Sequence, residues 1–196
     1  MMSVVLCLAL LASVAAYEYK TVGNDTVQSS TCFCTTVPCP IVGNNYLTEG
    51  GGALGTYVYV AHGSVPVVSS ASVTITKADM DKGTDTTSCT QDYSRSMDDD
   101  GTQDCDAGHI LAHRLGGPGN QPTNIFPQDL SVNRGIYSTF EESIYNCISY
   151  DGATSASLKW TFYYDDSTKT KPNSVKYSAS YSGGTCSSAT QTFANE

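Results

Sequence analysis

The chain has 196 residues, enough for one domain with a core of its own, and a formal net charge of −9. That charge excludes a protein that grips nucleic acid through a broad basic face, while leaving room for local contact with a few phosphates. Beyond the first residues no stretch is apolar enough to span a membrane, which takes roughly 20 such residues, so no membrane partner is expected.

Residues 1–16 read as a signal peptide. Ser3 to Val14 is an almost unbroken apolar run, and Val14, Ala15 and Ala16 offer small residues for cleavage before Tyr17, although a basic leading region is missing. The expected product is secreted. Seven cysteines then remain: Cys32, Cys34, Cys39, Cys89, Cys105, Cys147 and Cys186. In an exported chain these are disulfide candidates, and Cys32, Cys34 and Cys39 lack the second ligand pair that a zinc site needs. An odd number leaves one thiol free or paired between chains, which keeps a disulfide-linked dimer open. Asn24-Asp25-Thr26 is a glycosylation sequon, usable in a eukaryotic source.

Residues 17–55 are rich in Thr, Gly, Asn and Cys and predict an irregular, disulfide-pinned segment ending at Gly50-Gly51-Gly52. The remaining 56–196 read as one domain. Strands are predicted at 56–60, 65–68 and 72–76, where β-branched and aromatic residues dominate. Residues 79–103 are polar and turn-rich, and Asp98-Asp99-Asp100 reads as a solvated acidic turn rather than a calcium loop. Leu130, Ile136, Phe140, Ile144 and Ile148 then recur at helical spacing. Asp129 or Ser131 would cap that helix, Gly135 predicts an irregular first turn, and Asp151-Gly152 ends it after Ser149. Strands at 158–164 and 174–181 follow, and a last short strand after Gly184 would be stapled through Cys186. The fold class is α+β: a central antiparallel sheet with one main helix, disulfide-stabilised.

The chemistry concentrates in residues 106–142. Asp106-Ala107-Gly108-His109 is followed by a Gly/Pro-rich loop, then by Asn124-Ile125-Phe126-Pro127-Gln128, then by the helix bearing Asn133 and Glu141. A neutral imidazole can take a proton from water near neutral pH. A divalent cation on few hard oxygen ligands can neutralise charge at phosphorus. Glu141 lies about 12 Å along the helix from Asn133 at ~1.5 Å per residue, and helical side chains lean toward the N-terminus, so a metal-bound water would close the gap. Glu142 would face the far side. His113, four residues after His109, lacks the intervening Glu of a zinc helix and reads as a loop residue.

These residues, in this order, resemble the secreted DNA/RNA non-specific endonucleases with a ββα-metal (His-Me) finger, here at about 104–148. The resemblance implies that His109 is the general base and that Asn133 binds Mg²⁺, with Mn²⁺ as an alternative. It implies that Glu141 holds metal-bound water and that Asn124, nine positions before Asn133, supports the site. DNA and RNA would be the substrates, cut to leave 5′-phosphates. Ala107 stands where many relatives carry a phosphate-contacting arginine, so Arg114 or Arg95 would substitute. A nuclease-derived domain that binds nucleic acid without efficient cutting is the alternative. Arg134 beside the metal ligand either touches phosphate or is solvated. Lys171-Pro172 is similar to the Arg-Pro strand that follows the finger in relatives. Lys159, Lys169, Lys171 and Lys176 would form either a phosphate-tracking patch or a lysine-blunted edge.

Overall fold

The computed structural model describes residues 34, 37–47, 53–101 and 104–196. The signal-peptide reading, the Asn24 sequon and Cys32 lie outside the described residues. Six antiparallel strands form the main sheet in the order β1-β2-β3-β6-β7-β8: β1 Gly43–Tyr46, β2 Gly55–His62, β3 Val65–Thr76, β6 Ala153–Tyr163, β7 Ser174–Gly183 and β8 Ala189–Ala194. The sheet therefore begins upstream of residue 56, with β1 paired along β2. The two strands expected at 65–68 and 72–76 are one strand. Ser69 does not break it; it is the extra residue of a β3 bulge opposite Val58 and Tyr59, and its hydroxyl donates to the Val58 carbonyl (3.1 Å).

Period-two alternation sorts the sheet into two faces. Tyr57, Val73, Ile75, Leu158, Trp160, Phe162, Val175 and Tyr177 are buried on one, whereas Thr74, Lys159, Thr161 and Lys176 are exposed on the other. Onto the buried face packs α3 (Ser138–Ser149), through Phe140, Ile144 and Ile148. The centre is aromatic: Trp160 and Tyr177 have ring centroids 4.5 Å apart, Phe140 lies 4.9 Å from Tyr177, and the Trp160 indole N–H donates to the Tyr137 hydroxyl (3.1 Å).

A second, two-stranded ribbon carries the motif: β4 (Asp106–His109) pairs antiparallel with β5 (Ile125–Gln128). Gly108 faces the Gln128 side chain so closely that a Cβ there would overlap it, which accounts for the glycine before His109. Behind the ribbon sits a helix that the sequence did not announce, α1 (Ser88–Ser96). Its nine residues, SCTQDYSRS, carry little apolar periodicity, so the polar composition of 79–103 masked it. The start is set by a reciprocal Thr87–Thr90 cap, and Tyr93 and Met97 pack on Ile125.

The finger helix enters through α2 (Leu130–Val132), capped by Asp129, whose carboxylate accepts from Ser131 and Val132 N–H (2.8 and 3.0 Å). A π-helical turn, Asn133–Tyr137, precedes α3, and Gly135 inside it has φ −116°, ψ −109°. The irregular turn expected at Gly135 is thus a one-residue bulge, and it breaks the predicted apolar stripe: Ile136 is 54% exposed. The C-terminal end of the chain bolts this region down. Buried Asn195 accepts from the Asp129 N–H (2.8 Å) and donates to the carbonyls of Pro127 (2.9 Å) and Pro172 (2.8 Å).

Disulfides join Cys34 to Cys89, anchoring α1, and Cys147 to Cys186; the expected staple through Cys186 thus runs to α3, and Cys39 is also disulfide-bonded. The free thiol among the described residues is Cys105, which is buried, with its pKa pushed up to about 12 by that burial. Among the described residues the free thiol therefore gives no support to a disulfide-linked dimer, because a buried, protonated thiol is poorly placed to reach or attack a partner. No helix among the described residues is long and apolar enough to cross a membrane.

Candidate active site

The ribbon's end, the following loop and the first turns of α3 enclose a cavity of about 280 Å³. His109, His113, Arg114, Asn133, Glu141, Glu142 and Tyr145 all line it. Ser138, Glu141, Glu142 and Tyr145 fall on one helical face, at i, i+3, i+4 and i+7. The expectation that Glu142 points away is therefore corrected, because the cavity spans the whole of that face.

His109 closes β4 and is largely enclosed. Its Nε2 lies 3.1 Å from the Thr84 carbonyl oxygen. A carbonyl only accepts, so Nε2 carries the proton and Nδ1 keeps its lone pair. Burial lowers the His109 pKa below 6.5 and a neighbouring His113 lowers it further, against the opposing Thr84 contact, so the ring is neutral near pH 7.

Asn133 donates its Nδ2 to Asp106 Oδ2 (2.9 Å), which leaves Oδ1 as an acceptor. Asp106 also receives Arg134 Nε and Nη2 at 2.8 and 2.7 Å. Burial works to raise the Asp106 pKa, but the hydrogen bonds from Arg134 and Asn133 outweigh it and hold the carboxyl below its usual range. Asp106 thus fixes the amide's orientation, a role the sequence reading left blank. Arg134, assigned to substrate, commits Nε and Nη2 to this clamp, while the rest of its guanidinium stays exposed.

Glu141 Oε1 is buried without a hydrogen-bond partner, and burial raises the Glu141 pKa well above its ordinary value. An orphaned carboxylate oxygen and an amide oxygen in one cavity, both hard donors with nothing to accept from, suit a divalent cation such as magnesium.

Asn124 is elsewhere. It is fully buried and accepts through Oδ1 from Leu111 N–H (2.9 Å) and the Tyr57 hydroxyl (3.1 Å), while Nδ2 donates to the carbonyls of Leu111 (2.9 Å) and Pro118 (3.2 Å). Every group is satisfied inside the protein, so Asn124 clamps the loop that carries His113 and Arg114 and does not enter the cavity.

Arg114 does enter it, its guanidinium stacked 4.0 Å over the Tyr145 ring. Arg95 does not; it pairs with Asp92 (3.3 Å). Lys171, assigned to phosphate, is buried with Asp98 (3.4 Å) and Asp100 (2.5 Å). Burial works to lower its pKa, but those two carboxylates outweigh it and raise it. Asp98 is likewise buried while Asp99 and Asp100 are exposed, so the solvated acidic turn is corrected at Asp98, which forms the socket for Lys171. Lys169 also lies near this loop, 3.9 Å from Asp99, which leaves Lys159 and Lys176 exposed on the outer sheet face. Lys171→Ala should therefore cost roughly 3 kcal/mol of stability, by stranding buried Asp98, and leave the salt dependence of nucleic-acid binding unchanged. Urea unfolding and a salt titration of binding separate the two effects; a flatter salt slope with intact stability would restore the phosphate role.

Residues 59–183 match the sequence pattern of DNA/RNA non-specific endonucleases. The chain belongs to this family. Within the DNA/RNA non-specific endonucleases it is similar to a probable deoxyribonuclease RhsA of Dickeya dadantii, 37% identical over 124 residues. That match covers 63% of this chain and only 8% of the relative's length. Among solved structures it is similar to NucA of Streptococcus agalactiae with magnesium bound (TM-score 0.48, 13% identity, covering 78% of this chain and 84% of that one). The same NucA without metal gives a TM-score of 0.49 at 14% identity, covering 82% and 83%.

Proposed function

We propose that this chain is a secreted, Mg²⁺-dependent endonuclease that hydrolyses DNA and RNA to 5′-phosphate ends. The observation that carries the reading is the shared cavity: a neutral imidazole with Nδ1 free beside two unpaired hard oxygens, Asn133 Oδ1 and Glu141 Oε1. His109 takes a proton from the attacking water through Nδ1, while Thr84 holds the ring in that tautomer. Asn133 and, directly or through water, Glu141 would hold the cation, which supplies charge neutralisation at phosphorus and at the departing 3′ oxygen. Arg114, which lines the cavity, would contact phosphate. Export is supported by the apolar N-terminal run and by the Cys34–Cys89 and Cys147–Cys186 disulfides.

Ala107 stands where a phosphate-contacting arginine would come from the ribbon, and in this reading Arg114 takes that place. Its side chain packs against the Tyr93, Met97 and Ile125 cluster and is not among the cavity-lining residues.

The test is nicking of supercoiled plasmid and cleavage of a structured RNA by the oxidised protein, with Mg²⁺, Mn²⁺ or EDTA. Alongside it, Mg²⁺ should raise the melting temperature of the wild type, and the rise should vanish in Asn133→Ala. Cleavage that survives EDTA, or stabilisation that survives the substitution, would remove the cation from this cavity.

A further inference from the structure

A second imidazole lines the same cavity, and the nuclease reading gives it no task. His113 sits at the start of the 3-10 turn His113–Leu115, half-exposed, with Nδ1 3.2 Å from Asp85 Oδ1. Nδ1 thus faces a carboxylate as an ion pair when the ring is protonated, and Nε2 is the nitrogen left over. One dipeptide holds both rings, but by opposite nitrogens. The Thr84 carbonyl engages His109 through Nε2 and leaves Nδ1 open; the Asp85 carboxylate engages His113 through Nδ1 and leaves Nε2 open. Their proximity is felt electrostatically, since His113 disfavours a second positive charge on His109. Hydrolysis of a phosphodiester needs one group that takes a proton and one that gives one.

We propose that His113, oriented by Asp85, donates the proton to the departing 3′ oxygen. This rests on the nuclease reading above. In the step, water loses a proton to His109 Nδ1 as its oxygen bonds to phosphorus. The bond from phosphorus to the 3′ oxygen breaks with its electron pair on oxygen, and that oxygen takes the proton from Nε2 of the doubly protonated His113. The products are a 5′-phosphate and a 3′-hydroxyl. His109 gives its proton to solvent, and His113 recovers one from solvent.

The experiment uses two oligonucleotides of one sequence, differing at a single linkage whose 3′ bridging oxygen is replaced by sulfur, with turnover read at that linkage under saturating Mg²⁺ or Mn²⁺. A thiolate departs without needing a proton. The expected result is that His113→Ala and His113→Gln lower turnover at the oxygen linkage about 100-fold, with KM within about threefold. At the sulfur linkage the loss should be at least tenfold smaller. Asp85→Asn should show the same pattern, weakened. His109→Ala, by contrast, should lose both linkages together. Equal losses at oxygen and sulfur, or a change in KM alone, would make His113 a phosphate contact or a structural residue and overturn the proposal, as would no loss at all. A wild-type protein that cuts neither linkage would sink the nuclease reading itself, and this proposal with it.

Discussion

Replacing His109 with alanine should reduce plasmid and RNA cleavage on the order of 10³-fold while leaving the melting temperature within a few degrees of wild type. The imidazole is a neutral base facing the cavity, and its Nε2 contact with the Thr84 carbonyl holds it in place. The same burial makes a pH prediction with a definite sign. His109 titrates at about 6.5 when unfolded and below that in the fold. Its base form therefore persists as pH falls past 6.5, and the acid limb of kcat/KM should lie on the acid side of that value. Stability moves with it. Above pH 6.5 both states hold the ring neutral. As pH falls from 6.5 toward the folded pKa, the unfolded chain binds a proton that the folded one refuses, so stability is lost across that window. Urea midpoints between pH 7.5 and 5 should show this decline in the wild type and a shallower one in His109→Ala. An unchanged rate in the variant would remove His109 from the reaction, whatever the profile looks like.

The second large effect is structural. Asn124→Ala should cost roughly 4 kcal/mol, because it strands the Leu111 N–H, the Leu111 and Pro118 carbonyls and the Tyr57 hydroxyl in the interior. The resemblance suggested a residue at the chemistry; the geometry makes it the clamp of the loop behind His113 and Arg114. The two roles separate cleanly. A clamp predicts a large drop in the urea midpoint, with activity lost in step as the loop loosens. A residue acting in the cavity predicts lost turnover in a protein of unchanged stability. A destabilisation below about 1 kcal/mol would mean the four bonds count for little.

What was legible followed from local pattern. Strands 56–60, 158–164 and 174–181 announced themselves because one sheet face is buried and the other is not, so alternation survives in the sequence. His109, Asn133 and Glu141 were legible because their spacing reflects a ribbon and a helix placed in fixed order, and the structure brings all three to one cavity. Other features had no local signature. α1 is stabilised by a threonine cap, a disulfide and contact with the ribbon rather than by a stripe of its own. Lys171 looked like a surface cation because the acids that bury it lie about seventy positions earlier in the chain. Asp106 stood in the motif, but its partners Asn133 and Arg134 meet it only after the ribbon folds onto the finger helix. Thr84 and Asp85 gave no signal at all, since a backbone carbonyl and an exposed carboxylate gain their roles purely from placement.

The Asn195 bolt has a consequence for the order of events during synthesis. His109, Asn133 and Glu141 are all made before β6, β7 and β8 exist, whereas Asn195, which fixes the entry to the finger helix at Asp129, follows that residue by 66 positions. At ~5–20 residues per second, that interval is roughly 3–13 s. Through this window the nascent chain carries every reactive group without the strands that hold them in register. A chain that lacks Asn195 should therefore hold the entry to the finger helix loosely, even with His109, Asn133 and Glu141 all present.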